Sequence, residues 1–304
     1  MEFTVRVPGS CGELIQGRAG GEPFLVTCPI GCYTTVRVSD CFHGIEGLGR
    51  KSLLAMERTL RKFGKEEFPW GLRLKSELPR GKGMASSSAD IAATIAAVSL
   101  AFASLPYPAE ILRLAADIEP TDGVFCPDVV RLNHITGQIL ASYKGLPAFR
   151  ISVYDTGGEV DTICYHERTE ERLREQDSAE VLALFEQGCR RKDAALIAQA
   201  ATLSARNNQK LLPKEKLEEL LDFACSQGAL GVNVAHSGTV IGVLWPENFP
   251  DWNLVQAESA VRQHFPSLML LTQTRLRGGG IEAAGESGDY VELFNHDNQQ
   301  EERA

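Results

Sequence analysis

The sequence predicts an α+β protein of two lobes packed together, on three observations. The first 80 residues read mainly as strands, the remainder mixes strands and helices, and no repeat or flexible linker separates the two. A chain of 304 residues is long enough to bury a full core. A boundary near residue 150 divides an N-terminal lobe (1–150) from a C-terminal lobe (151–280).

Val5 to Val7, Phe24 to Thr27 and Cys32 to Val38 are rich in β-branched and aromatic residues, with Gly/Pro turns between them. Ser52 to Phe63 has helical apolar spacing and Gly64 as its stop. Leu72 to Ser76 returns to strand. Beyond the next loop come an alanine-rich helix through Ile91–Ala97 and a helix from Pro108 through Asp117. Gly137–Ser142 and Phe149–Tyr154 read as strands. From Arg168 to Gln227 the chain is helical and polar on one face, with a break at Leu212-Pro213. Leu230–Ala235 and Val240–Leu244 return to strand, Asp251–His264 is a helix, and Leu268–Thr274 is a last strand. The stretch after Gly278 is glycine-rich, then acidic and polar, so 281–304 is expected to be a flexible tail.

The hydrophobic fraction of 43% and charged fraction of 23% are those of a soluble globular protein. A net charge of −9 without a dense Lys/Arg patch argues against a nucleic-acid partner. An anionic nucleotide can still bind, because local N–H groups and a magnesium ion decide that. No apolar run approaches the roughly 20 residues of a membrane helix. Met1–Val7 alternates like a strand and lacks the features of a secretory signal. A cytoplasmic chain with no membrane partner is expected. The eight cysteines are scattered, which fits free thiols better than a disulfide framework. Cys28-Pro29-Ile30-Gly31-Cys32 has a spacing that zinc sites use, but no second Cys/His pair matches it. The six histidines form no HExxH pattern.

Four stretches carry chemistry. The run Pro79 to Asp90 follows a strand and opens a helix. Its backbone N–H groups and the helix dipole would surround one small volume suited to phosphate. Ser86, Ser87 and Ser88 add hydroxyls for phosphate or magnesium. An ordinary Ser-capped helix is the other reading. Ile118-Glu119-Pro120-Thr121-Asp122-Gly123 puts two carboxylates three residues apart, able to divide metal and proton work; the alternative is a cap on a following helix. Val7 to Gly17 ends a strand with small and polar residues. Asn233-Val234-Ala235-His236-Ser237-Gly238-Thr239 is a strand and small-residue turn, either a close approach to ligand or a plain hairpin.

The order of these stretches resembles the GHMP kinases over residues 3 to about 277. The first motif of that superfamily matches Pro8–Glu13, the second Pro79–Ala89, and the third Gly228 through Gly238; Asn208–Leu212 resembles the helix start ahead of the third. Within the superfamily, the wording of 11–17, 82–94, 118–122 and 233–238 is similar to the branch that phosphorylates L-threonine for the aminopropanol linker of cobalamin. Two departures from the general pattern, Met84-Ala85 in the second motif and His236 with Thr239 in the third, are shared by that branch. A methyl at Ala85 limits close approach of phosphate unless the local dihedrals avoid positive φ.

The resemblance implies a ribosomal-protein-S5-domain-2-like N-terminal lobe, a ferredoxin-like C-terminal lobe, ATP and Mg²⁺ as cofactors, and L-threonine as the small-molecule partner. It implies ATP phosphates on Lys82, Gly83, Met84, Ala85, Ser86, Ser87 and Ser88. Mg²⁺ falls to Ser87 and Glu119, and Asp122 takes the catalytic position. Ser10, Glu13, His236, Ser237 and Gly238 line the substrate. Glu13 is matched to the threonine ammonium. For His236 a structural role, and for Lys82 a solvated turn, stand as alternatives. Homoserine kinase is the same-fold rival, and a catalytically silent ligand-binding regulator the rival of another class. A serine hydrolase built on Ser237 and His236 fails for want of a GxSxG elbow.

Overall fold

In a computed structural model, the described residues are 1–104, 107–158, 177–285 and 287–294. β1 (Glu2–Ala19) and β2 (Glu22–Ser39) are 18 residues each and form a long hairpin. Gly20 and Gly21, both at positive φ, make its turn. The short separate strands expected here are therefore one continuous ribbon. Register shifts after Pro8, after Ser10 and after Glu13 absorb the proline and the left-handed Gly12 (φ 53°) without ending the strand. The motif Pro8–Gly17 lies in a bulged strand rather than in a loop.

β1 and β2 are the centre of one sheet, ordered β10-β7-β9-β8-β1-β2-β4-β3. Its other members on that path are β3 (Ile45–Glu46), β4 (Gly71–Ser76), β7 (Phe149–Asp155), β8 (Gly231–Val234), β9 (Val240–Pro246) and β10 (Met269–Arg275). β5 (Val129–Asn133) pairs with β2 and with β6 (Gln138–Tyr143). The strands on either side of residue 150 share this sheet, and residue 150 itself falls inside β7. Glu13 of β1 pairs with Val234 of β8, which puts the first and third motifs side by side.

Among the described residues the helices are α1 (Arg50–Lys62), α2 (Ser86–Ala101), α3 (Pro108–Ala116), α4 (Ala179–Arg191), α5 (Ala194–Asn208), α6 (Leu217–Ser226) and α7 (Asp251–His264). The break expected at Leu212-Pro213 separates α5 from α6, while positions 168–176 of the expected helical stretch lie outside the described residues, as does Cys164. α2 is buried on nearly all sides. Its alanines let it sit close against β1 and β2, which a helix of larger side chains could not do. Two apolar clusters result. The larger follows α2 and the central strands, and the smaller surrounds Trp245 and Tyr154 beneath α6 and α7.

The expected tail is corrected in part. β11 (Glu282–Ala284) pairs antiparallel with Thr4–Arg6 of β1, and β12 (Val291–Glu292) pairs with β11. Ile281 and Phe294 are buried, and Arg6 Nε lies 2.5 Å from Glu282 Oε2. The upper half of β1 offers an edge beyond β8, and these residues cover it. Residues 286 and 295–304 lie outside the described residues. The seven described cysteines are free, with Cys28 buried and Cys32 half-buried. No described helix is long and apolar enough to cross a membrane.

Candidate active site

A cleft of about 430 Å³ opens where the start of α1, the loop before α2, the 119–122 segment and the β8–β9 turn meet. α2 begins without a side-chain cap: Ala85 is the N-cap residue, at φ 56° and ψ 25°. The Ser-capped reading therefore falls, and the first N–H groups of α2 lack intrahelical partners and open toward the cleft. Ala85 does adopt the left-handed conformation, at a cost of about 1–2 kcal/mol for a residue with a Cβ.

Ser87 and Ser88 turn their hydroxyls to the 119–122 segment. Ser87 Oγ donates to Glu119 Oε1. Ser88 is a junction: its Oγ donates to Asp122 Oδ2 at 3.3 Å and accepts from Asp122 N at 3.1 Å and Thr121 Oγ1 at 3.3 Å. No helix follows Asp122, so the capping reading of this segment also falls. Thr121 N donates to His134 O at 3.0 Å, which pins the segment to the turn after β5. Burial above all, and then the charge of Glu119, push the Asp122 carboxyl up to about 6.

Glu119 is 6% exposed and receives a second donor, Lys51 Nζ from the first turn of α1. Sequence reading did not find Lys51. The one signal available was Gly49-Arg50-Lys51-Ser52 at a helix start, a basic N-terminus against the helix dipole. The oxygens of Ser87 and Glu119 are hard donors at one point of the cleft. They fit Mg²⁺, which takes one or two carboxylates and completes its shell with water and phosphate. Among the described residues no three His, Cys, Asp or Glu side chains gather around a metal position, so no all-protein cage competes with that arrangement.

Lys82 departs from its expected place. Its ammonium lies 2.8 Å from Asp155 Oδ2 and donates to Gly158 O at 2.5 Å, away from the cleft wall. Its carbonyl accepts from Thr239 N and Val240 N at 3.0 and 3.1 Å. Neither a phosphate contact nor a solvated turn describes it, for it fastens the loop to the end of β7. Gly83, Met84 and Ala85 to Ser88 do line the cleft.

The third motif is a hairpin turn and also a wall of the site. His236 and Ser237 line the cleft, and Gly238 backs the loop. A Cβ on Gly238 would fall 2.3 Å from Lys82 O, and one on Gly83 (φ 80°) 2.3 Å from the methyl of Ala235. A Cβ on Gly12 would fall 2.5 Å from Ala235 N. The glycines of all three motifs are therefore needed for backbone-to-backbone contact among the motifs themselves.

Ser10 and Glu13 stand behind the wall instead of on it, at 1% and 5% exposure. Ser10 N donates to Met84 O at 3.0 Å, holding the loop to β1. Glu13 Oε2 accepts from His236 N at 2.5 Å. Gln16 Oε1 accepts from Asn208 Nδ2 at 3.0 Å and meets His236 Nδ1 at 2.5 Å, so the imidazole proton resides on Nδ1. The rings of His236 and His134 are 5.3 Å apart, edge to face. Burial, and next the charge of Asp122, push the Glu13 carboxyl well above the usual carboxylate range. Burial pulls the Lys214 ammonium down to about 7, against the attraction of Glu13.

With this geometry in view, the comparisons agree with one another. The model of the GHMP kinases' N-terminal domain matches residues 50–128, from the start of α1 to the strand beyond Asp122. An L-threonine kinase of Citrobacter freundii is 32% identical over 296 residues, 92% of this chain and 99% of that protein. An L-threonine kinase of Salmonella typhimurium is 30% identical over 290 residues, 91% of this chain and 94% of that protein. The crystal structure of homoserine kinase from Cytophaga hutchinsonii superposes with a TM-score of 0.64 at 15% identity, over 93% of this chain and 97% of that one. The last likeness speaks to fold alone. Relatives that match nearly end to end, and a helix N-terminus facing a carboxylate pair, lead to one conclusion: this chain belongs to the GHMP kinases.

Proposed function

We propose that the chain transfers the γ-phosphoryl group of ATP to the side-chain hydroxyl of L-threonine, giving O-phospho-L-threonine for the aminopropanol linker of cobalamin. One observation carries the reading. Ser88 joins Asp122 to the first turn of α2, while Ser87 joins Glu119 to the same turn. Groups suited to an acceptor hydroxyl and to the nucleotide phosphates thus stand on one helix end.

Phosphoryl transfer asks the protein mainly for positioning and charge neutralisation. The free N–H groups at the start of α2 and the hydroxyl of Ser86 receive the triphosphate. Ser87 and Glu119 would hold Mg²⁺, which when bound offsets negative charge on the phosphates. Asp122 accepts the proton of the acceptor hydroxyl as its oxygen bonds to the γ-phosphorus and ADP departs. A carboxyl raised to about 6 is basic enough for that task and still ionised at neutral pH. Lys51 supplies a positive charge beside Glu119. His236 and Ser237 close the acceptor side.

The near full-length L-threonine kinase relatives favour threonine as the acceptor. Homoserine, whose hydroxyl lies one carbon further out, is the second reading, favoured by the fold likeness to homoserine kinase. The test is ADP release with Mg-ATP across a panel of hydroxy amino acids and sugars. Turnover of L-threonine is expected. Turnover of homoserine or a sugar with none of threonine overturns the acceptor, and absence of any turnover points to the silent ligand-binding regulator.

A further inference from the structure

Behind His236 the structure encloses polar side chains that the phosphate chemistry leaves unused. Glu13 and Gln16 of β1, Asn208 at the end of α5 and Lys214 before α6 are each at most 6% exposed. Lys214 Nζ reaches only neutral oxygens, Asn208 Oδ1 at 3.4 Å and Leu212 O at 3.2 Å. No carboxylate of the described residues lies within 4.0 Å of it. Glu13 accepts the His236 N–H, and no cation of the described residues lies within 4.0 Å of its carboxylate. Two further polar atoms in the same region, Gln16 Nε2 and Ser10 Oγ, are buried without a hydrogen-bond partner.

Burying an ammonium and a carboxylate is strongly unfavourable unless they are paired. Here they stand apart, joined only through the chain Lys214–Asn208–Gln16–His236–Glu13. Such an arrangement is complementary to a ligand with one charge of each sign. An α-amino acid has them on adjacent groups, together with acceptors for the Gln16 amide and an ammonium for Glu13. A sugar or a plain alcohol offers neither group a charged partner.

We infer that Lys214 and Gln16 receive the α-carboxylate of the acceptor and Glu13 its α-ammonium, with the side-chain hydroxyl directed to Asp122. Asp122 is near enough for its charge to act on Glu13. His236, which belongs both to this cluster and to the cleft wall, marks the way in. The inference rests on the amino-acid kinase reading above, without depending on which hydroxy amino acid is used.

The test compares L-threonine with L-threoninamide, which lacks the carboxylate, as acceptors of the full chain with Mg-ATP. Wild-type kcat/KM should fall about a hundredfold from the acid to the amide, the loss expected when one partner of a buried charge pair is removed. Lys214→Met should lose about as much on L-threonine and little more on the amide, with ATP affinity by calorimetry unchanged. Lys214→Arg should recover part of the loss. Gln16→Met gives the same test with the lysine intact, should Lys214→Met fail to fold by circular dichroism. A wild type indifferent to the carboxylate, or variants that keep the preference for the acid, would overturn the inference. Should homoserine be the acceptor, the same comparison with homoserine and its amide applies, so the threonine assignment can fail while this one stands.

Discussion

The ammonium of Lys82 lies 2.8 Å from the carboxylate of Asp155, joining the loop before α2 to the end of β7. Thr239 Oγ1 donates to the same carboxylate at 2.6 Å. The second and third motifs and β7 thus share one buried fastening. Lys82→Met should destabilise the chain by about 3 kcal/mol, since it leaves a buried carboxylate unpaired. It should also raise KM for ATP more than it lowers kcat. Urea unfolding and initial rates check this. A lysine serving only as a phosphate contact would leave the unfolding midpoint where it was.

The same pair predicts a change in acid stability. Burial acts to raise the Asp155 carboxyl, and the hydrogen bonds from Lys82 and Thr239 outweigh it, holding the group below its ordinary value. The folded state therefore binds fewer protons than the unfolded state near pH 4. The stabilisation is present above the unfolded pKa of about 3.9 and is lost as pH falls through the folded value. Asp155→Asn should be less stable at pH 7 and should lose less on acidification below about pH 4. Parallel acid-unfolding curves for the two proteins would rule this out.

Asp122→Asn should cut kcat by about a hundredfold or more while leaving ATP affinity nearly intact. For the wild type, kcat/KM should fall as pH drops through about 6, where the carboxyl takes its proton. Because that value is raised, the folded state binds more protons than the unfolded state between pH 4 and 6. The group thus opposes folding at neutral pH. The asparagine variant should melt no lower than wild type at pH 7. An unchanged kcat removes Asp122 from the reaction.

Gly238→Ala should destabilise the chain by about 3 kcal/mol and weaken ATP binding. The added methyl would lie 2.3 Å from Lys82 O and 2.4 Å from Gly83 Cα, both backbone atoms that cannot turn aside. Thermal unfolding and nucleotide calorimetry measure the two effects. Wild-type stability in this variant would mean that the turn and the loop do not touch.

Lys214→Met should raise the melting temperature of the unliganded chain near pH 7. Burial lowers the Lys214 ammonium to about 7, so the unfolded state binds more protons between pH 7 and about 10.4. The cost of the lysine shrinks as pH rises through that window, and the gap between variant and wild type should narrow with it. A variant more stable than wild type and poorer with threonine would identify a group retained for binding. A lower melting temperature at every pH would identify a packing residue.

Much of the fold was legible because its signals are local. The alternation in β1 and β2, the alanine run of α2, and the stops at Gly64 and Pro213 each act within a few residues. The joining of the short N-terminal strands was not legible, because bulges at Gly9 and Gly12 make sense only opposite β2. Docking of 281–294 was hidden likewise, since a polar three-residue strand has no pattern until β1 offers it an edge.

By itself the sequence determined the α+β class, the phosphate-suited start of α2, the Glu119–Asp122 pair and the turn at 236–238. Each depends on spacing along the chain. The tertiary structure decided what those groups meet. It sent Lys82 to Asp155, brought Lys51 from α1 to Glu119, and placed Glu13 beneath His236 beside a buried Lys214. These partners are separated by up to 223 positions along the chain. No local pattern encodes such a meeting; it follows from the register and twist of one sheet, which carries β1, β7 and β8 together.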